Sequence, residues 1–432
     1  MRPFLPALLL SVPLFAAAGP SLLPLETGNN WTYRASATGE TRTGRLAAAF
    51  RDSPQVARRL ALLLGTSRRL GDVLLANPDL VERLADEARL RTRARPELVD
   101  SATSAIEWRA DVPARQQALQ RWQQRHLLGI AARDVFDASG VEQVGADLTA
   151  LAEAALEATL ATLQPQVPLA VLALGRFGGA ELGYASDLDL VFAYDGAGAG
   201  AAEEADRVAT ELVRFVDGGT PARRIWAVDA TLRPEGRSGP LARSLEGWRA
   251  YLDRWASTWE RQAYLRLRAV AGDASVGAAL ADAVADAIWS RPFTEADTRE
   301  VRRMKARIEQ ERIGRGEDPT FHLKLGPGSL SDVEFTVQLL QLQHGVPEPS
   351  TIVALHALRA ADHLDEDDAA VLEAAYRFCE ETRNRSFLVA GPGDSLPMRP
   401  EQITPLARSL GHTVPGLREE YRRRTRRARR VV

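Results

Sequence analysis

A chain of 432 residues, 45% apolar and 26% charged, is long enough for two or three domains with separate cores and has an ordinary globular composition. Basic and acidic residues number 55 and 57, for a net charge near −2. That balance gives no general electrostatic reason to expect nucleic acid or an anionic membrane as partner. Cys379 is the single cysteine, so an intrachain disulfide is excluded, and with six scattered histidines a structural zinc site is not expected. In Tyr376-Arg377-Phe378-Cys379 it reads as a small core residue.

The N-terminus conflicts with the rest. Arg2 precedes an apolar run from Phe4 to Ala18, ending in three alanines, which has the layout of a secretory signal peptide. A short hairpin-like stretch around Gly28-Asn29-Asn30-Trp31 follows. Near Arg42 the texture changes to Ala/Leu/Arg-rich helix, so residues 1–41 read as a signal-like or foreign segment, the alternative being an exported protein. Beyond this run, nothing approaches the ~20 apolar residues of a membrane span.

Residues 42–164 are expected to form a helical lead-in. Val56, Leu60, Leu63 and Leu64 recur at helical spacing, as do Leu127, Leu128, Ile130 and Ala131. Asn77-Pro78 and Val112-Pro113 punctuate the helices. A long Ala/Leu helix from Ala146 to Leu163 closes at Pro165. Residues 165–275 then read as an α/β unit, with strands at Val167 to Leu174, Leu188 to Tyr194 and Arg224 to Leu232, and a helix at Glu203 to Val216. Residues 276–432 return to helix, broken at Gly326-Pro327-Gly328 and by a loop around Pro392 and Pro397.

The α/β unit carries the candidate chemistry. On a strand, Asp187 and Asp189 project from one side while Leu188 and Leu190 face the other. Two adjacent carboxylates repel one another, and Mg²⁺ shared with substrate phosphates is the usual relief. Taken alone the pair reads more readily as a solvated strand end. Gly178-Gly179, between the first strand and this pair, offers backbone N–H groups close approach to a phosphate; a tight turn is the alternative. A third carboxylate, Asp229, follows on a later strand, with Arg233 and Arg237 just beyond. Strand, Gly-Gly, Asp-x-Asp and a later strand Asp make the layout of a polymerase-β-like nucleotidyltransferase unit. The expected fold class is therefore α+β: this unit flanked by helical regions, mostly α overall.

Four segments in order sharpen the reading: Leu174-Gly175-Arg176-Phe177-Gly178-Gly179 through Asp189, Val228-Asp229-Ala230-Thr231-Leu232-Arg233-Pro234, Trp259-Glu260-Arg261-Gln262-Ala263, and Leu323-Lys324-Leu325-Gly326 through Phe335. Together they resemble the glutamine synthetase adenylyltransferases over roughly residues 42–432, in the actinobacterial style. Members of that family usually carry two such units, one attaching AMP and one removing it by phosphorolysis. The helical lead-in and Arg-rich end fit the C-terminal, adenylylating half, and the stop at Val432 suggests a fragment.

The resemblance implies that Asp187, Asp189 and Asp229 hold two Mg²⁺ ions and that ATP supplies AMP to a tyrosine of glutamine synthetase. A PII-type signal protein is a candidate second partner. Nucleic acid and membrane are not expected, and the need for ATP implies the cytoplasm. Gly178, Gly179, Ser186, Arg233, Arg237 and Lys324 are the candidate nucleotide contacts. Several alternatives stay open. Arg233 and Arg237 read equally as surface partners of Glu235, while Lys324 reads more readily as a solvated lysine. Ser331 and Glu334 have capping-box spacing. Trp248, Tyr251, Trp255 and Trp259 read as a core stripe on one helix, from which Glu260 could reach the site. The end from Arg418 to Arg430, with eight arginines and two glutamates, reads as a helix face packing on missing sequence. Phosphorolytic removal of AMP, another nucleotidyl transfer to an aminoglycoside or with UTP, and a non-catalytic helical interaction protein are the competing functions.

Overall fold

Helices lead the chain in the computed structural model, which describes residues 54–76, 80–81, 90–136, 139–254, 257–314 and 316–432. The signal-like run, the Asn77-Pro78 break and Trp255 lie outside the described residues. α1 (Pro54–Thr66), α2 (Arg68–Ala76), α3 (Arg95–Ile106), α4 (Val112–Val135) and α5 (Val141–Leu163) precede the sheet. Asp111 starts α4 by accepting the Ala114 N–H at 2.7 Å, with Pro113 in the first turn, where its missing N–H costs nothing. α5 begins earlier than its periodicity suggests. Its alanines and leucines, among them Leu151, Ala152, Ala155 and Leu156, are fully buried.

Five strands follow: β1 (Leu169–Ala173), β2 (Leu188–Tyr194), β3 (Val228–Asp229), β4 (Ala242–Ser244) and β5 (Arg268–Gly272). The sheet is mixed, in the order β3-β2-β1-β5, with β4 also on β2. β1 is antiparallel to β2 and β5, whereas β2 is parallel to β3 and β4. The third expected strand thus shrinks to two residues, and β4 and β5, short and rich in Arg, Gly and Ala, carry no strand signal of their own. Alternation sorts the two faces. A short helical turn, α6 (Gly175–Gly178), links β1 to β2; Leu169, Val171, Ala173, Leu188, Leu190 and Phe192 join a core with α3, α4, α5 and α7 (Ala199–Asp217), the helix after β2. Ala170, Leu172, Leu174, Val191 and Ala193 face a second core. Apolar on both sides, β1 and β2 are the buried centre of the sheet.

The second core is closed by α8 (Leu245–Arg254), α9 (Thr258–Tyr264) and α10 (Ala274–Trp289), so the packing of the sheet runs past residue 275. The expected single aromatic helix is two: Trp248 and Tyr251 lie on α8, Trp259 and Glu260 on α9. Trp248 is core, its indole donating to the Phe192 carbonyl at 3.2 Å. α11 (Glu295–Arg312), α12 (Leu330–His344), α13 (Thr351–Ala360), α14 (Glu366–Ala390), α15 (Pro400–Ser409) and α16 (Val414–Val431) complete the chain. α12 to α16 share a core around Leu355, Leu372, Cys379, Leu406 and Tyr421, and burial pushes the Cys379 thiol up.

Two expectations are corrected here. α12 starts at Leu330, so Ser331 is already inside it and Ser331 with Glu334 forms no capping box; the boxes are Ser257 with Glu260 and Thr294 with Asp297. The Arg-rich end packs on this chain: Leu417, Tyr421, Thr425 and Ala428 are buried, and Arg429 reaches the buried Asp332 at 2.7 Å. Among the described residues no helix is long and apolar enough to cross a membrane.

Candidate active site

The turn after β1 and the first residues of β2 and β3 build the site. Asp187 ends the loop, and Asp189 is the second residue of β2. In the parallel β2–β3 pair, Leu188 stands opposite Val228 and Asp189 opposite Asp229, with the Leu188 N–H donating to the Ala227 carbonyl at 2.9 Å. Register thus puts the third carboxylate beside the second. One oxygen from each of Asp187, Asp189 and Asp229 lies within 4.8 Å of the others. Asp187 is exposed and the other two are half-buried. Asp229 also accepts the Thr231 N–H at 2.8 Å, which fixes its carboxylate.

Gly175 is the glycine against this triplet. Its φ is +53°, and a Cβ there would sit 2.1 Å from Asp189 Oδ2. Gly178 and Gly179 are needed for close packing instead: a Cβ on Gly178 would fall 1.8 Å from the Arg266 carbonyl, and one on Gly179 2.9 Å from that of Pro349. Their N–H groups donate within the turn, to the carbonyls of Leu174 at 2.8 Å and Gly175 at 3.1 Å. Ser186 accepts the Gly183 N–H at 2.9 Å and closes the next turn.

The charge at the site is lopsided. None of the three carboxylates has an ion-pair partner among the described residues. Burial, then Asp187 and Asp229, pushes the Asp189 carboxyl up to about 7, against the pull of Lys324 and Arg266. Three hard oxygen donors whose proximity raises a proton affinity this far suit a divalent cation, which relieves both the desolvation and the repulsion. The triplet therefore has the donor chemistry of the metal site of a nucleotidyltransferase.

Tertiary packing brings Lys324 toward the triplet from the loop before α12, where it is half-buried and its charge also acts on Glu334 and Asp394. Arg233 braces its own loop, donating to the carbonyls of Ala230 at 2.6 Å and Gly239 at 3.2 Å. Arg237 is exposed. Neither pairs with Glu235, whose partner is Arg243 at 2.8 Å. Glu260 caps α9 and accepts the Tyr251 hydroxyl at 2.6 Å.

Sequence reasoning missed a buried charge network beside the site. Arg176 lies 3.1 Å from Glu334 and 2.8 Å from Glu380, and Arg266 lies 3.6 Å from Glu181 and 3.7 Å from Glu334. Burial alone would raise the Glu334 carboxyl, yet Arg266, Arg176 and Lys324 hold it below the usual range. Arg176 and Glu181 stand inside the glycine segment, but only the fold shows that they face partners from α12, α13 and α14.

The arrangement narrows the comparison with known proteins. Residues 57–283 match the family model described as glutamate-ammonia ligase adenylyltransferase, which covers more than half of the chain. The chain belongs to that family. Residues 302–432, most of the C-terminal helices, match a model described as PII-uridylyltransferase. Similar proteins include the bifunctional glutamine synthetase adenylyltransferase/adenylyl-removing enzymes of Cutibacterium acnes, 38% identical over 89% of this chain, and of Streptomyces coelicolor, 37% identical over 89%. That of Mycobacterium tuberculosis (strain CDC 1551 / Oshkosh) is 37% identical over 95%. The chain spans about two fifths of these relatives, 40%, 42% and 44% of their lengths. Asp187, Asp189 and Asp229 lie within the stretch that the family model matches.

Proposed function

We propose that the chain transfers AMP from ATP to a tyrosine hydroxyl of glutamine synthetase. The tyrosyl oxygen bonds to the α-phosphorus, the bond to the β-phosphate oxygen breaks, and pyrophosphate leaves. The register that sets Asp229 beside Asp189, with Asp187 adjacent, is the observation that carries this reading. The three carboxylates would hold Mg²⁺, which lowers the pKa of the acceptor hydroxyl and neutralises the triphosphate. Lys324 adds a positive charge on the side where phosphate oxygens would approach. Arg233 keeps the Ala230–Gly239 loop in shape next to Asp229, leaving exposed Arg237 free to meet phosphate. Gly178, Gly179 and Ser186 shape the turn that the nucleotide would face. On this reading the work is done where ATP is, in the cytoplasm, and a PII-type protein remains a candidate regulator.

The printed names of the relatives are bifunctional and the chain spans two fifths of their length, which supports a second reading, phosphorolytic removal of AMP from the same target. Incubation with unmodified glutamine synthetase and adenine-labelled ATP separates the two. Label on a tyrosine is the expected result. Release of ADP from adenylylated glutamine synthetase and phosphate, without label transfer, selects the second reading; neither outcome sinks both.

A further inference from the structure

The loop that delivers Asp187 is tied to the C-terminal helices by one carboxylate of its own. Between Gly175 and Ser186 the chain makes a short helical turn and then has no strand to lean on. Glu181 lies in this stretch, nearly buried, and accepts four hydrogen bonds from the C-terminal helices. Ser350 Oγ and the Thr351 N–H donate to one oxygen, at 2.9 and 2.6 Å; Thr351 Oγ1 and the Tyr376 hydroxyl donate to the other, both at 2.9 Å. Ser350 is the N-cap of α13 and Thr351 its first residue, so the carboxylate caps a helix far along the chain and sits where the helix dipole favours negative charge. Arg266 donates to Thr351 Oγ1 and stands 3.6 Å from Glu181.

Two independent features constrain the loop on either side of this anchor. Ala180, just before it, has φ of +57°, an uphill conformation for a residue with a Cβ that persists only where its surroundings impose it. Just after it, Gly183 lies against α14, where a Cβ would be 2.7 Å from Asn384 Oδ1 and 2.9 Å from Glu380 Oε1. The Gly183–Ser186 turn then closes at 2.9 Å and runs straight into Asp187. From Glu181 to Asp187 little backbone is left free to absorb a shift.

We propose that Glu181 is a positioning residue: by capping α13 it fixes Asp187 relative to Asp189 and Asp229, making the C-terminal helices part of the cation site. The inference rests on the proposed function, since it assumes that the triplet binds a divalent cation.

The test is Mn²⁺ binding to the full chain, followed by electron paramagnetic resonance, with thermal unfolding measured alongside. Glu181→Gln is expected to bind Mn²⁺ about tenfold more weakly, the lower end of what lost orientation of a metal ligand costs, when measured well below its Tm, which falls because the amide NH2 cannot accept from the donors it faces. Thr351→Val, which removes one donor, is expected to weaken binding in the same direction, and Thr351→Ser, which keeps the hydroxyl, to restore it. If Glu181→Gln fails to fold, the Thr351 pair decides: equal binding by Val and Ser variants overturns the proposal. Wild-type affinity in Glu181→Gln or Thr351→Val overturns it as well and leaves the proposed function standing. A wild-type chain that binds no Mn²⁺ removes the proposed function, and this inference with it.

Discussion

Two clusters of charge lie close together in this molecule and obey opposite rules. In the triplet, three carboxylates converge without an ion-pair partner among the described residues, and the Asp189 carboxyl is driven up to about 7. In the adjoining network, Arg176 and Arg266 alternate with Glu181, Glu334 and Glu380; burial opposes each charge, yet the partners hold Glu334 low and both arginines high. Like charges gathered without compensation are costly to the fold alone and become stable when a cation arrives. Opposite charges gathered in pairs already offset one another and serve to join elements. The same residue types thus mark a site in one place and a joint in the other, and the local balance of sign tells them apart.

The sharpest way to break the contrast is in the triplet. Asp189→Asn or Asp229→Asn is expected to lower adenylyl transfer by about 10³-fold, the upper range for losing one group that organises transition-state charge. Either substitution should leave Tm unchanged or raise it in chelator, because repulsion is removed. Labelled-ATP transfer and thermal unfolding check both halves, and a large Tm loss would contradict the functional assignment. In the network the signs invert. Glu334→Ala takes one of two carboxylate partners from each of the buried Arg176 and Arg266 and is expected to destabilise by about 3 kcal/mol, read from urea unfolding.

Gly175→Ala tests the geometry between them. A Cβ at φ +53° is expected to cost about 1–2 kcal/mol in backbone strain and to displace the Asp189 carboxylate, so activity should fall far more than stability. The smallest effect is one of pH. Asp189 is protonated more readily folded than unfolded, so its contribution to stability is full below its unfolded pKa and is lost as pH rises through about 7. In chelator, Tm should drift down between about pH 4 and 7 and level off above that; Mg²⁺ should reverse the drift, and Asp189→Asn should abolish it.

Local patterns made much of this legible. β2 occupies the residues its apolar run suggests, Leu188 to Tyr194, and the i, i+2 rule puts Asp187 and Asp189 on the face opposite Leu188 and Leu190. The lead-in and C-terminal helices follow their periodicity. Short elements were not legible: β4 and β5 lack a run long enough to show a period, and the third strand shrank to the two residues that pair with β2. Capping spacing at Ser331 and Glu334 misled because burial between two arginines claimed Glu334 for an ion pair.

By itself, then, the sequence determined which residues could do chemistry and which side of a strand two of them share, since side-chain alternation is a property of the local backbone. Only the tertiary structure decided that Asp229 stands opposite Asp189, that Lys324 turns its charge toward the triplet, and that Glu181 caps α13. Those relations depend on strand register and on packing between segments far apart in the chain. No local periodicity encodes either; both are selected by the fit of whole faces in the buried cores.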